Sequence, residues 1–312
     1  MSPLEIIAPV FAMMGLGYGA GKTKFFPPEA VSALMRFVWY VAIPALMFRL
    51  IANATVPGAE ELILAAGYYL GIFTVYFGTV FIVGHFLKLP MGERGVMALA
   101  VCFGNGGFIG IPVIEGVFGA EGLRLLLILI TFHSMTLVPI TTIIIESGSA
   151  NGGSPMGIMK KTANGLIHNP LLIALFSGLA FAASGLPMPD VVDRFLAMPA
   201  ATAAPCGLFA AGATLSRVKI AGDLPQAFLV VFLKTMIVPV AVFLSTTYIF
   251  GLPPLWVGTA TLMAGLPTGM VAYSVAEQYA TAPRRAATAV LVATLVSIVT
   301  LSGLIYLVTT NN

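Results

Sequence analysis

Apolar residues fill the chain in blocks of about 20, the length a helix needs to cross a hydrocarbon core of roughly 30 Å, with short polar or charged punctuation between them. The pattern predicts spans over residues 4–21, 30–52, 62–87, 94–118, 123–146, 168–186, 191–215, 224–250, 255–279 and 285–308. Helix is the expected state, because an isolated strand cannot satisfy its backbone in lipid. The longest polar stretch, Ser147 to Asn164, divides the ten blocks into two groups of five. The first block contains Glu5 and has neither a basic leader nor an A-x-A cleavage pattern, so a retained helix is expected rather than a signal peptide.

Composition sharpens this picture. The 312 residues are 59% apolar and only 9% charged, against about 25% charged in soluble domains. Water could not solvate such a surface, whereas lipid could. The 33 glycines and 21 prolines sit inside apolar runs, as is common in transmembrane helices. Cys102 and Cys206 both lie in apolar blocks, so no disulfide is expected. Three histidines and two cysteines predict no metal site, and no resident cofactor is expected. The net charge of +3 is too small for a nucleic-acid surface.

The placement of that charge orients the chain. Alternate loops carry Lys22, Lys24, Lys88, Arg94, Lys160, Lys161, Arg217, Lys219, Arg284 and Arg285. Loops on the other side carry Arg124 and Arg194 with Glu60, Glu61, Glu121, Asp190 and Asp193. The basic side should be cytoplasmic. Both termini are then non-cytoplasmic and the central loop cytoplasmic. Five spans per half require opposite insertion of the two halves. Matches at one offset of 161 support a repeat: Pro28-Glu29-Ala30-Val31, Pro44 and Phe48 against Pro189-Asp190-Val191-Val192, Pro205 and Phe209. Leu123-Arg124 and Arg284-Arg285 keep the same offset. The expected domains are an inverted repeat over 1–146, a connecting loop over 147–165, and a second repeat over 166–312.

Two spans cannot be straight helices. Span 4 contains Gly104-Asn105-Gly106-Gly107-Phe108-Ile109-Gly110-Ile111-Pro112, and span 9 contains Gly265-Leu266-Pro267-Thr268-Gly269. Each glycine lowers helix stability by about 1 kcal/mol relative to alanine, and proline lacks an N–H and clashes with the preceding turn. Each break lies 11 residues, or about 16 Å of helix, from a span end, Arg94 or Trp256. Both should therefore fall near the bilayer midplane, where discontinuous helices of transporters bind their substrates. Second half-helices starting near Pro112 and Pro267 would turn partial positive charge toward an anion. Asn105 and Thr268 would add neutral donors, and the carbonyl ends of the first half-helices could hold a cation. The competing reading is a packing device, in which small residues only let helices approach.

Other polar residues leave alternatives open. Lys234 lies 11 residues into span 8, either as a functional charge or as a lysine paired to a carbonyl or snorkelling. Glu115 could couple a proton or ion, or stabilise a helix start. Glu277 and Gln278 could bind a cation or simply end their helix. His133, with Ser134, could relay protons, although a satisfied core histidine is the plainer reading. Arg36 and Arg49 are expected to snorkel, and Trp39 and Trp256 to pack or anchor at interfaces.

The run from Asn105 to Pro112, together with Leu266-Pro267-Thr268-Gly269, Ala276-Glu277-Gln278-Tyr279 and Pro283, resembles the auxin efflux carrier family, which includes plant PIN-FORMED proteins and bacterial malonate-type carriers. Tyr40-Val41-Ala42-Ile43-Pro44-Ala45-Leu46 fits it too. The resemblance covers essentially the whole chain. It implies an all-α integral membrane fold of ten transmembrane helices, as in bile acid:sodium symporters, with spans 4 and 9 crossing. Spans 3–5 and 8–10 would form a transport domain, and spans 1, 2, 6 and 7 a scaffold that often dimerises. The substrate-binding asparagine maps onto Asn105 and the crossover prolines onto Pro112 and Pro267. The short central loop departs from the plant members, so their loop phosphorylation is not expected.

The resulting expectation is a secondary active or facilitative carrier. It would move a small carboxylate such as malonate across the cell membrane by elevator-type alternating access. Substrate contacts are expected from Asn105, Gly106, Ile111, Pro112, Leu266, Pro267, Thr268 and Gly269. Coupling to Na⁺ or H⁺ is left open, with Glu115, Glu277, Gln278, Lys234 and His133 as candidates. No G-x-x-x-x-G-K-[ST] is present, so gradients must supply any energy. A gated anion channel is the second reading. An intramembrane enzyme is the third, weakened because no aspartate lies mid-span and no H-E-x-x-H occurs.

Overall fold

The computed structural model describes residues 3–23, 26–53, 59–148, 168–217 and 224–310. Most of the expected central loop, with Lys160 and Lys161, lies outside the described residues, as do Lys24 and Lys219. Among the described residues the chain is helical, with a single isolated β-bridge and no strand. The helices are α1 (Pro3–Gly21), α2 (Pro28–Phe37), α3 (Ile43–Ala52), α4 (Ala59–His85), α5 (Met91–Cys102), α6 (Ile111–Ser147), α7 (Pro170–Ala183), α8 (Asp190–Leu215), α9 (Leu224–Phe232), α10 (Val238–Leu244), α11 (Pro254–Gly265), α12 (Met270–Gln278) and α13 (Pro283–Thr310). Seven helical segments among the described residues are long and apolar enough to cross a membrane, and α7 is a shorter apolar helix. The two expected spans with internal breaks, 94–118 and 255–279, do not form single helices. Much of the first continues into the long α6, which is interrupted at Gly119 (φ 65°, ψ −157°).

Proline accounts for two further irregularities. Wide turns of π type occupy Val38–Ala42 and Leu233–Ile237, just ahead of Pro44 and Pro239. Proline removes an N–H and crowds the carbonyl four residues back. The chain answers with i to i−5 bonds, from Ile43 N–H to Val38 O and from Val238 N–H to Leu233 O.

The chain divides into two compact units. The first comprises Met1–Glu61, Gly107–Thr131 and Asn164–Arg217. Its tightest packing is α1 against α8. A Cβ on Gly212 would lie 1.9 Å from Met14 O, and one on Gly17 would lie 2.0 Å from Phe209 O. Small residues let these backbones touch, as is usual where lipid supplies no hydrophobic drive for helix association. Arg49 does not snorkel. It makes a bidentate pair with Asp193, Nε to Oδ1 at 2.7 Å and Nη2 to Oδ2 at 2.9 Å, a geometry that satisfies both groups at partial exposure. Arg124 pairs with Glu61 at 2.9 Å. Arg36 is exposed, and Trp39 packs on Phe108 with ring centroids 6.5 Å apart.

The second unit comprises Leu62–Gly106, Phe132–Ala163 and Val218–Asn312. Gly71 sets α4 against α10, since an added Cβ would lie 2.8 Å from Val242 Cα. Ser245 Oγ donates to Gly67 O at 2.7 Å, and Tyr76 shares a 2.7 Å hydrogen bond with Thr141. Trp256 is buried, so it packs in the interior rather than standing at an exposed interface. Cys102 and Cys206 are both free thiols.

Candidate functional site

Helices α5 and α11 are each 12 residues, about 18 Å, too short to cross about 30 Å of hydrocarbon alone. Each follows a proline cap, Pro90 (φ −58°, ψ 152°) and Pro253 (φ −56°, ψ 149°). Each ends in an extended residue, Phe103 (ψ 102°) and Leu266 (ψ 147°). The extended stretches then pair with each other. Gly104 and Thr268 stand opposite in an antiparallel bridge. Asn105 N–H donates to Pro267 O and Gly269 N–H donates to Phe103 O, each at 2.8 Å. In this pattern the central residues form the close, non-hydrogen-bonded pair. Side chains on the glycines would crowd it: a Cβ on Gly269 would lie 3.1 Å from Gly104 O, and one on Gly104 would lie 3.3 Å from Met263 O.

The two segments thus meet as two interrupted helices whose breaks hydrogen-bond. Phe103, Asn105, Leu266 and Thr268 are all buried. After the first break the chain makes a wide turn over Gly106–Gly110, and α6 starts at Ile111 with Pro112 as its second residue. After the second break the helix starts at Met270 with Gly269 as its cap, three residues beyond the expected start at Pro267. The reason is local. Proline excludes the α conformation from the residue before it, so Pro267 holds Leu266 extended and belongs to the crossing itself.

The carbonyls around the crossing have protein donors. Thr268 Oγ1 donates to Ala100 O at 2.9 Å, and Lys234 Nζ donates to Ala264 O at 2.9 Å. His133 Nε2 lies 3.2 Å from Cys102 O, and its Nδ1 lies 3.0 Å from Tyr69 Oη. A carbonyl can only accept, so in the neutral ring Nε2 carries the proton and Nδ1 accepts from Tyr69. The sequence offers a carbonyl-paired Lys234 and a satisfied His133 as readings, but the partners themselves are not legible in it, because each pair joins residues 30 or more positions apart.

The expected site residues are divided between the two units. Asn105, Gly106, Leu266, Pro267, Thr268 and Gly269 fall in one unit, and all but Gly106 lie in the paired stretches with Lys234 beside them. Ile111, Pro112 and Glu115 belong to the first unit, where Glu115 is an exposed fifth residue of α6. Glu277 accepts from Tyr273 Oη on the exposed end of α12, and Gln278 is the last residue of that helix. They sit about two helical turns from the break, outside the crossing. His133 has both ring nitrogens engaged, and the side chain of Ser134 lies outside the described residues. A cavity of about 610 Å³ borders Pro90, Glu93, Glu146 and Tyr279 rather than the crossing.

Comparison with known proteins identifies the family. The family described as membrane transport protein matches residues 3–305. The chain is 28% identical over 306 residues to a Rhizobium meliloti (strain 1021) protein named "Putative malonate transporter", covering 97% of this chain and 95% of that one. It is 26% identical over 272 residues to an uncharacterized transporter of Methanothermobacter thermautotrophicus, covering 87% of each. It is 22% identical over 347 residues to auxin efflux carrier component 8 of Arabidopsis thaliana, covering 94% of this chain and 93% of that one. The match spans nearly the whole chain, and the relatives are transporters rather than enzymes. This multi-pass membrane protein belongs to the auxin efflux carrier family of membrane transport proteins.

Proposed function

We propose that the protein carries a small organic anion, a mono- or dicarboxylate of the malonate class, across the cell membrane by secondary or facilitated transport. The observation that carries this reading is the buried crossing, where Asn105 N–H donates to Pro267 O and Gly269 N–H to Phe103 O between two interrupted helices. Irregular backbone inside a membrane protein is tolerated where it is buried in protein or lines a cavity, and in transporters such breaks hold the substrate. Gly269 caps the N-terminus of α12, which brings partial positive charge to the crossing without a mobile side chain. The name of the Rhizobium meliloti relative agrees with a dicarboxylate.

In this reading the ten expected spans form two inverted repeats, with both termini non-cytoplasmic. The equal lengths and proline caps of α5 and α11 support the repeat. The unit holding the crossing acts as the moving transport domain, and the first unit as a scaffold through which two copies pair. The burial of Leu266 and Thr268 favours a carrier over an open pore. The test is radiolabelled malonate, succinate and acetate flux in proteoliposomes. Saturable uptake with counterflow is expected. Ohmic single-channel current would select the channel instead, and wild-type rates in both Asn105→Ala and Pro267→Ala would remove the crossing from recognition.

A further inference from the structure

Lys234 is fully buried. It stands in the wide turn Leu233–Ile237 that precedes Pro239. Its Nζ donates to Ala264 O at 2.9 Å, one residue before the end of α11, and lies 3.2 Å from where a Cβ on Gly104 would be. The C-terminal end of a helix carries partial negative charge, and its last carbonyls have no partner within the helix. A carrier can satisfy such an end with a bound cation or with a side chain. Here the side chain is in place, and the neighbouring acceptors also have donors: Ala100 O from Thr268, Phe103 O from Gly269 and Pro267 O from Asn105, with His133 on Cys102 O.

We infer that Lys234 is the resident cation of the crossing: its ammonium supplies the charge that the helix end would otherwise draw from a bound metal cation, so solute binding and transport proceed without sodium. The inference rests on the crossing being the solute site. A second cation about 4 Å from the ammonium would be repelled by enough to weaken its binding about a thousandfold, taking an effective dielectric near 20. The same fixed charge favours an anionic solute over a neutral or cationic one. Lys234 acts here as a positioning residue, through the carbonyl of Ala264.

The experiment has two arms on the purified full chain. In the first, thermal midpoints are measured in sodium, potassium and choline chloride at equal ionic strength. Equal midpoints are expected, and a rise in sodium alone overturns the inference whether or not any carboxylate is transported. In the second, malonate flux is measured in proteoliposomes with sodium or potassium outside. Equal flux is expected in the wild type. A loss of about tenfold or more is expected in Lys234→Met, which keeps the volume without the charge, with a smaller loss in Lys234→Arg. A several-fold rise of wild-type flux in an inward sodium gradient, or wild-type flux in Lys234→Met, overturns it. If none of the carboxylates moves, the transport reading fails while the first arm still decides the role of the lysine.

Discussion

At the end of α5 the carbonyls of Ala100 and Cys102 meet neutral donors, the Thr268 hydroxyl and the His133 ring. At the end of α11 the carbonyl of Ala264 meets the Lys234 ammonium. The two half-helices match in length, in their proline caps and in the extended residue that follows, yet one is closed by neutral groups and the other by a charge. The proline differs too: Pro112 is the second residue of α6, where its missing N–H costs nothing, whereas Pro267 lies inside the extended crossing. Matched backbones thus give a framework for two breaks, and the side chains make one of them the electrostatically active end. A buried charge facing a carbonyl is held in place by the desolvation penalty of separating them. The neutral caps hold geometry without adding a field.

The largest effect on this contrast is expected from Gly104→Leu. The new side chain would have to displace Lys234 Nζ and Met263 O, pushing the two stretches apart and moving the charge. Stability should fall by about 3 kcal/mol and flux by about a hundredfold, read by detergent melts and proteoliposome uptake. His133→Ala probes the neutral end: it leaves Cys102 O and Tyr69 Oη without their present partner and should cost about 2–3 kcal/mol. Its sodium and potassium responses should stay equal, because the charge at the other end is untouched. Thr268→Val keeps the shape and removes one donor to Ala100 O. It should cost about 1 kcal/mol, visible as a modest drop in the thermal midpoint. Glu277→Gln should change flux by less than about twofold and stability by under about 0.5 kcal/mol, since Glu277 sits on the exposed end of α12.

The breaks themselves were legible in the sequence because glycine and proline act locally. Four glycines before Pro112, and Gly265 to Gly269 around Pro267, forbid a continuous helix wherever they are placed. The second half-helix starts at Met270 rather than near Pro267, because the constraint of proline on Leu266 outweighs its suitability as a helix starter. The pairing of Asn105 with Pro267 joins positions 162 apart, and neither residue type announces it. The same holds for Arg49, read as a snorkelling side chain until Asp193, 144 positions away, is seen to hold it. Glu277 and Glu115 stand out in the sequence because charge in an apolar block draws notice. Glu277 lies on the exposed end of α12, about two turns past the break, and Glu115 is an exposed residue early in α6.

The most direct measurement is malonate affinity of the purified protein, by equilibrium binding of the radiolabelled anion to wild type, Asn105→Ala and Pro267→Ala with their melting curves recorded in parallel. The account predicts a loss of about tenfold or more in both variants with folded, cooperatively melting protein. Wild-type affinity in both variants would contradict it.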